Sequence, residues 1–144
     1  MKAKKVLESI DARAVARACC EEAERRQIAI TIAIVDDGGH LLFLERLDAR
    51  PSTIDVAIRK ARTAALMRAP TSRLAAKVST NPALLALDAM PMVGGIPLMF
   101  DGQCVGAIGI SGGTAEDDEA ICHAGGHAIG GAIEPRVAGA SPPG

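Results

Sequence analysis

The sequence predicts an α+β fold: one domain in which helices cover an antiparallel sheet. Two short Gly-containing turns, Asp36-Asp37-Gly38-Gly39 and Asp101-Gly102, each separate a pair of apolar runs, and turns this short can join only antiparallel strands. Helical periodicity precedes, separates and follows these two hairpins. A doubly wound parallel sheet would need crossover connections that neither turn provides. With 144 residues the chain is the size of one compact domain.

In chain order, the first helix spans 9–26, with Ser9 as its cap, Asp11 in its first turn, Arg25 and Arg26 at its positive-charge-favouring end, and Ile10, Ala14, Val15, Ala18 and Ala23 on its apolar side. A β-branched strand follows at 28–35, then the Asp-Gly turn, then a second strand at 40–46. Ser52 reads as the cap of the next helix, because Asp55 three residues on completes a capping-box variant and Ile54, Ala57, Ile58, Ala61, Ala64 and Ala65 recur at helical spacing. Pro70 stops that helix near Ala69; Thr71 opens a shorter one, and Pro82 opens a helical stretch through 87. The second hairpin comprises strands 96–100 and 103–111, with Asp101-Gly102 suited to a type I′ turn. Thr114 with Asp117 forms another capping box and starts the last helix, through 129. The domain is placed at 1–133. Its Gly- and Pro-rich end, 134–144, is expected to be a flexible tail.

Composition narrows the function. Trp and Tyr are absent and Phe occurs twice, which argues against base-stacking platforms and aromatic cages. Sixteen basic against seventeen acidic residues leave no global field for a polyanion, so nucleic acid and anionic membrane are not expected partners. No segment approaches membrane-spanning length, and no apolar run follows Lys2, Lys4 and Lys5 in the manner of a leader, so the expected location is cytoplasmic. Cys19, Cys20, Cys104 and Cys122 form no CxxC pair and read as buried hydrophobes or free thiols.

Four places could carry chemistry. In the first turn, Asp36 and His40 could stand at a pocket rim, His40 as a proton shuttle or metal ligand, although Asp and Gly are also simply what turns demand. Arg59, Lys60, Arg62 and Arg68, followed by Arg73, have Asp55 as their one nearby acid and could receive a carboxylate; a solvated face or salt bridges between subunits are the ordinary explanation of such a run. Lys60 and Thr63 share a face of that helix. Gly94 and Gly95, with the glycines of 106–113, imply close backbone approach by a ligand, a helix or another subunit, and Ser111-Gly112-Gly113-Thr114 leads into a helix N-terminus that favours anions. Finally, Glu119, His123 and His127 recur every fourth residue, a spacing compatible with metal ligation, although a solvent-facing polar stripe is its ordinary explanation. Gly109-Ile110-Ser111-Gly112-Gly113 has the letters of a nucleophile elbow without the parallel sheet or the chain length that motif needs.

Taken together, the segments 33–42, 57–65 with Lys60-Ala61-Arg62-Thr63-Ala64, Gly94-Gly95-Ile96-Pro97, and 105–112 resemble the GlcG/HbpS family of small haem-binding-like proteins, related to the C-terminal domain of some corrinoid adenosyltransferases. The likeness runs from about 9 to 129. It implies a profilin-like or PAS-like α+β fold and assembly into homo-oligomers. It also implies two functional readings. One is a cytosolic binding protein for haem or a similar carboxylated small molecule, with Lys60, Arg62, Thr63, Gly94, Gly95, Ser111 and Gly112 contacting ligand and His40, His123, His127 or a Met facing the iron. The other is a small tautomerase, deaminase or hydrolase acting on an unsaturated oxo or amino acid of organic-acid or aromatic catabolism, with His40, Asp36 and Lys60 as its catalytic set. The chain departs from the family pattern at Asp48-Ala49-Arg50-Pro51 and in carrying His123 and His127.

Overall fold

A computed structural model describes residues 1–129. Its elements are α1 (Ser9–Arg26), β1 (Ile30–Asp36), β2 (Leu41–Leu47), α2 (Ser52–Met67), α3 (Thr71–Val78), a 3-10 turn (Pro82–Ala86), β3 (Gly95–Phe100), β4 (Gln103–Ser111) and α4 (Ala115–His127). The four strands form one antiparallel sheet in the order β2-β1-β4-β3. The α+β architecture expected from the two hairpins is therefore the architecture found. The expected tail at 134–144 lies outside the described residues.

Alternation along the strands builds two unlike faces. Ile30, Ile32, Ile34, Ile96, Leu98, Ile108 and Ile110 point to one side, where Val15, Cys19, Ile121 and Cys122 of α1 and α4 close over them. Fully burying one such aliphatic side chain contributes about 1.5–3 kcal/mol. The other side is lined by Ala33, Val35 and Ala107 and covered by the Ala57, Ala61, Ala64 and Ala65 stripe of α2. Small residues on both partners bring that helix backbone close to the sheet.

Helix ends differ from expectation in two places. Glu8, not Ser9, caps α1, with the Glu8 side chain and Asp11 forming the reciprocal box, and Pro51 occupies the cap position of α2, so Ser52 is already helical. A carboxylate and a preset φ serve at these ends in place of a hydroxyl. The Thr114–Asp117 box is present as read, with Asp117 N–H donating to Thr114 Oγ1 at 3.1 Å. Thr114→Ala is expected to lower stability by about 1 kcal/mol, measurable as a reduced urea midpoint at unchanged m-value. The second hairpin turns through Asp101 at φ 49° and Gly102 at φ 75°, both left-handed, as a type I′ turn requires.

The sheet's edges are unequal. Pro97 lies in edge strand β3, where a missing N–H is tolerated, whereas β2 is exposed along most of its length and presents Leu41, Leu42 and Leu44 to solvent.

Candidate functional site

The sequence-derived residues separate into three groups, two of them at opposite ends of β1 and β4. Around the β1–β2 turn, Asp36 Oδ1 accepts from the backbone N–H groups of Gly38 and His40, both at 2.9 Å, so its carboxylate closes the turn. His40 itself is exposed. Gly39, at φ 84°, backs onto the stems of Arg62 and Leu66 of α2, so the turn that carries His40 packs beside the exposed Arg62. Lys4 Nζ donates to Asp37 Oδ2 at 2.8 Å, and that hydrogen bond holds the Asp37 carboxyl below its ordinary pKa.

The second group surrounds Lys60. Its ammonium is 2% exposed and donates to Ile110 O at 2.9 Å and to Asp118 Oδ2 at 3.2 Å, while Asp118 Oδ1 accepts from Gly113 N–H at 2.9 Å. Burial pushes the Asp118 carboxyl above its ordinary pKa, and the Lys60 charge partly opposes that. Gly94 must be glycine here: at φ 120°, an added Cβ would stand 2.8 Å from Ile110 O and 2.9 Å from Lys60 Nζ. Gly112, at φ 135°, is likewise pressed against Ala29 O, and Gly95 lies against Lys60 O. Lys60, Gly94, Ser111 and Gly112 thus meet at one end of the sheet, joining α2 to α4. Thr63 departs from Lys60: its hydroxyl donates to Arg59 O and accepts from Met90 N–H at 2.8 Å, pinning the loop before β3.

The histidines do not gather. Glu119 and His127 are eight residues apart on α4, about 12 Å of helix rise, too far to converge on one ion, and His40 lies in the β1–β2 turn. Among the described residues, no three His, Cys, Asp or Glu side chains are grouped to hold a metal ion. His40, His123 and His127 are therefore not brought to one centre, and a row on one helix face shares a direction without sharing a centre. The thiols are free and suppressed, since burial pushes Cys19 up to about 12, Cys20 to about 11 and Cys122 well above its ordinary value.

The third group is a pocket of about 220 Å³ in the corner between α2 and α3. Arg68, Arg73 and Lys77 line it with Met67, Leu74 and Thr63. Arg68 is fixed by donating to Asp37 O and Ala65 O. Arg73 and Lys77 are both exposed and stand one turn apart on α3. The basic run read from sequence thereby divides: Arg68 and Arg73 reach this pocket, Arg59 approaches Asp88 at 3.8 Å, and Lys60 and Arg62 serve elsewhere. Met67 and Lys77 were not singled out by sequence reasoning, although Lys77 four residues after Arg73 is a visible signal.

The family model described as haem degrading protein HbpS-like matches residues 7–127. The chain belongs to the HbpS-like family. It is 40% identical to protein GlcG of Escherichia coli K12 over 119 residues, covering 77% of this chain and 85% of that protein. The HbpS crystal structure superposes with a TM-score of 0.84 at 33% identity, covering 90% of this chain and 94% of that one. The crystal structure of a PduOC–heme complex gives 0.83 at 28% identity, covering 90% of this chain and 99% of that one. Membership accounts for the ordered motifs at 33–42, 57–65 and 105–112, which fall on β1 and its turn, on α2 and on β4. Among the described residues no helix is long and apolar enough to cross a membrane.

Proposed function

We propose that this HbpS-like protein binds haem or a similar carboxylated small molecule, seating the carboxylate edge in the α2–α3 corner. The observation that carries this is the presence of Arg68, Arg73 and Lys77 together in the lining of one pocket. Arg offers a planar fork to a carboxylate and Lys a mobile point charge, while Met67 and Leu74 supply apolar wall. These donors fit the acid side chains of a porphyrin. Thr63 is the member of the sequence-derived ligand set that lines the pocket; in this reading Lys60, Gly94, Gly95, Ser111 and Gly112 hold the scaffold that positions it. The family's haem-related description and the likeness to a haem complex support the ligand class. Self-association along the leucine-rich β2 edge would accord with the homo-oligomer that the resemblance implies.

The test compares protoporphyrin with its dimethyl ester by fluorescence titration. The diacid is expected to bind at least tenfold more tightly than the ester, roughly 1.4 kcal/mol, and Lys77→Gln with Arg73→Gln is expected to abolish that preference. Affinity for the diacid should also fall as salt rises. Equal binding of acid and ester would overturn the proposal. Turnover of an unsaturated oxo acid by the porphyrin-free protein, lost in His40→Ala, would replace it with the catalytic reading.

A further inference from the structure

We propose that residues 3–7 are a strap occupying a peptide-binding groove, and that the groove takes an extended basic segment of another protein chain when the strap lifts. The groove lies apart from the α2–α3 corner, and the inference stands independently of the ligand proposed there. It crosses the end of the sheet that carries both the β1–β2 and the β3–β4 turns, where the close of β1 pairs with the start of β4.

Three kinds of contact build it. The Gln103 side-chain amide accepts from Lys5 N–H at 3.1 Å through Oε1 and donates to Ala3 O at 3.4 Å through Nε2, so one amide grips alternate residues of an extended backbone whatever their side chains. Two consecutive lysines each meet a carboxylate on a different turn. Lys4 Nζ donates to Asp37 Oδ2 at 2.8 Å, and Lys5 Nζ stands 3.2 Å from Asp101 Oδ2 and 4.7 Å from the centre of the Phe100 ring. Leu7 then packs on the core cluster, and a Cβ at Gly106 would stand 2.6 Å from its Cδ1, so glycine at 106 leaves room for the leucine.

Two observations mark the strap as a replaceable occupant. Its latch is open to solvent: the Lys4, Lys5 and Asp101 side chains are 64%, 58% and 68% exposed, and pairs of that kind are weak and screened by salt. The strap also under-fills its seat. A cavity of about 140 Å³ remains beside Val6 and Leu7, walled by Phe100, Val105 and Ile129. A segment with the same two basic residues and a larger apolar side chain after them keeps the polar contacts and fills that space. Against such a competitor the strap has its attachment to α1 through Glu8, which gives it an effective concentration on the order of millimolar.

The probe is a fluorescein-labelled peptide of residues 1–8 carrying Val6→Phe. The full chain with Lys4→Glu and Lys5→Glu, whose strap is repelled by Asp37 and Asp101, is expected to bind it at least about tenfold more tightly than the unchanged protein, read by fluorescence anisotropy. Raised salt should weaken that binding. Adding Asp37→Lys and Asp101→Lys should abolish it, because the groove then repels the peptide and relatches the strap with the charges exchanged. In the unchanged protein, saturating peptide should strip hydrogen-exchange protection from the Lys5 amide, a readout that needs no variant to fold. Absence of binding to the folded Lys4→Glu, Lys5→Glu chain would overturn the proposal, as would binding indifferent to Asp37→Lys and Asp101→Lys, or Lys5 protection that saturating peptide leaves intact.

Discussion

Lys60→Met is expected to destabilise the protein by about 3–5 kcal/mol, because it leaves the Asp118 carboxylate buried without its counter-charge. Lys60 and Asp118 side chains are 2% and 4% exposed, so solvent cannot replace the lost partner. Ile110 O would lose its side-chain donor as well, while Gly113 N–H would still donate to Asp118 Oδ1. The pH dependence follows from the direction of the Asp118 shift. Its folded pKa already lies above the ordinary value through burial, and removing Lys60 removes the opposing charge and raises it further. Between the unfolded and folded pKa values the native state then holds the extra proton, so this contribution is present at low pH and lost as pH rises through the folded pKa. Urea midpoints of Lys60→Met should therefore recover partly on acidification relative to the unchanged protein. Lys60→Met combined with Asp118→Leu should regain most of the loss, since a well-packed apolar pair can replace a buried ion pair at little cost. A single variant as stable as the parent at neutral pH would remove the ion pair from the account of α2–α4 docking.

That ion pair also marks where the sequence was legible and where it was not. The hairpins could be read because their information is local: Asp101 and Gly102 adopt the left-handed conformations that their turn needs, and the alternation in β1 and β4 requires no knowledge of partners. Capping was readable for Thr114, whose hydroxyl and Asp117 lie three residues apart, and misassigned at Ser9 and Ser52, where an equally serviceable neighbour sits one residue earlier. Lys60 read as part of a basic run because five cations share 59–73, yet it occupies the Ala57, Ala61, Ala64 stripe and is carried inward with it. Asp118 was passed over, although Ile121, Cys122 and Gly125 at the third, fourth and seventh positions beyond it place it on the apolar side of α4. Each is a charge on a buried stripe, and the pairing of two such charges from helices far apart in sequence is a tertiary fact. The corner pocket was half readable: Arg68 and Arg73 stood out as cations, whereas the bend that brings Lys77 and Met67 beside them depends on how α3 leaves α2.

Gly109→Ala is expected to be the most damaging glycine-to-alanine change among the described residues, with a loss on the order of 3 kcal/mol or more and a visible fall in folded yield. A Cβ at Gly109 would run into Ala57 O and stand 2.6 Å from Ala61 N, and both obstacles are helix backbone with no rotamer to yield. Relief would require α2 to lift from β4 as a body. Lifting it would loosen the Ala33, Ala57, Ala61, Ala64 and Ala107 packing, draw Lys60 away from Ile110 O and Asp118, and shift the end of α2 that carries Met67 and Arg68. The control is Gly102→Ala, where an added Cβ meets nothing within 4 Å but φ is 75°; that change should cost only about 1 kcal/mol of backbone strain. Denaturation midpoints of the two variants, with protoporphyrin titrated into whatever folds, separate the effects. Equal destabilisation by the two would mean that α2 yields to the added methyl and that the close approach at Gly109 carries little of the stability. A large difference, accompanied by loss of ligand affinity in Gly109→Ala, would mean that the close seating of α2 on β4 is what places the cationic corner.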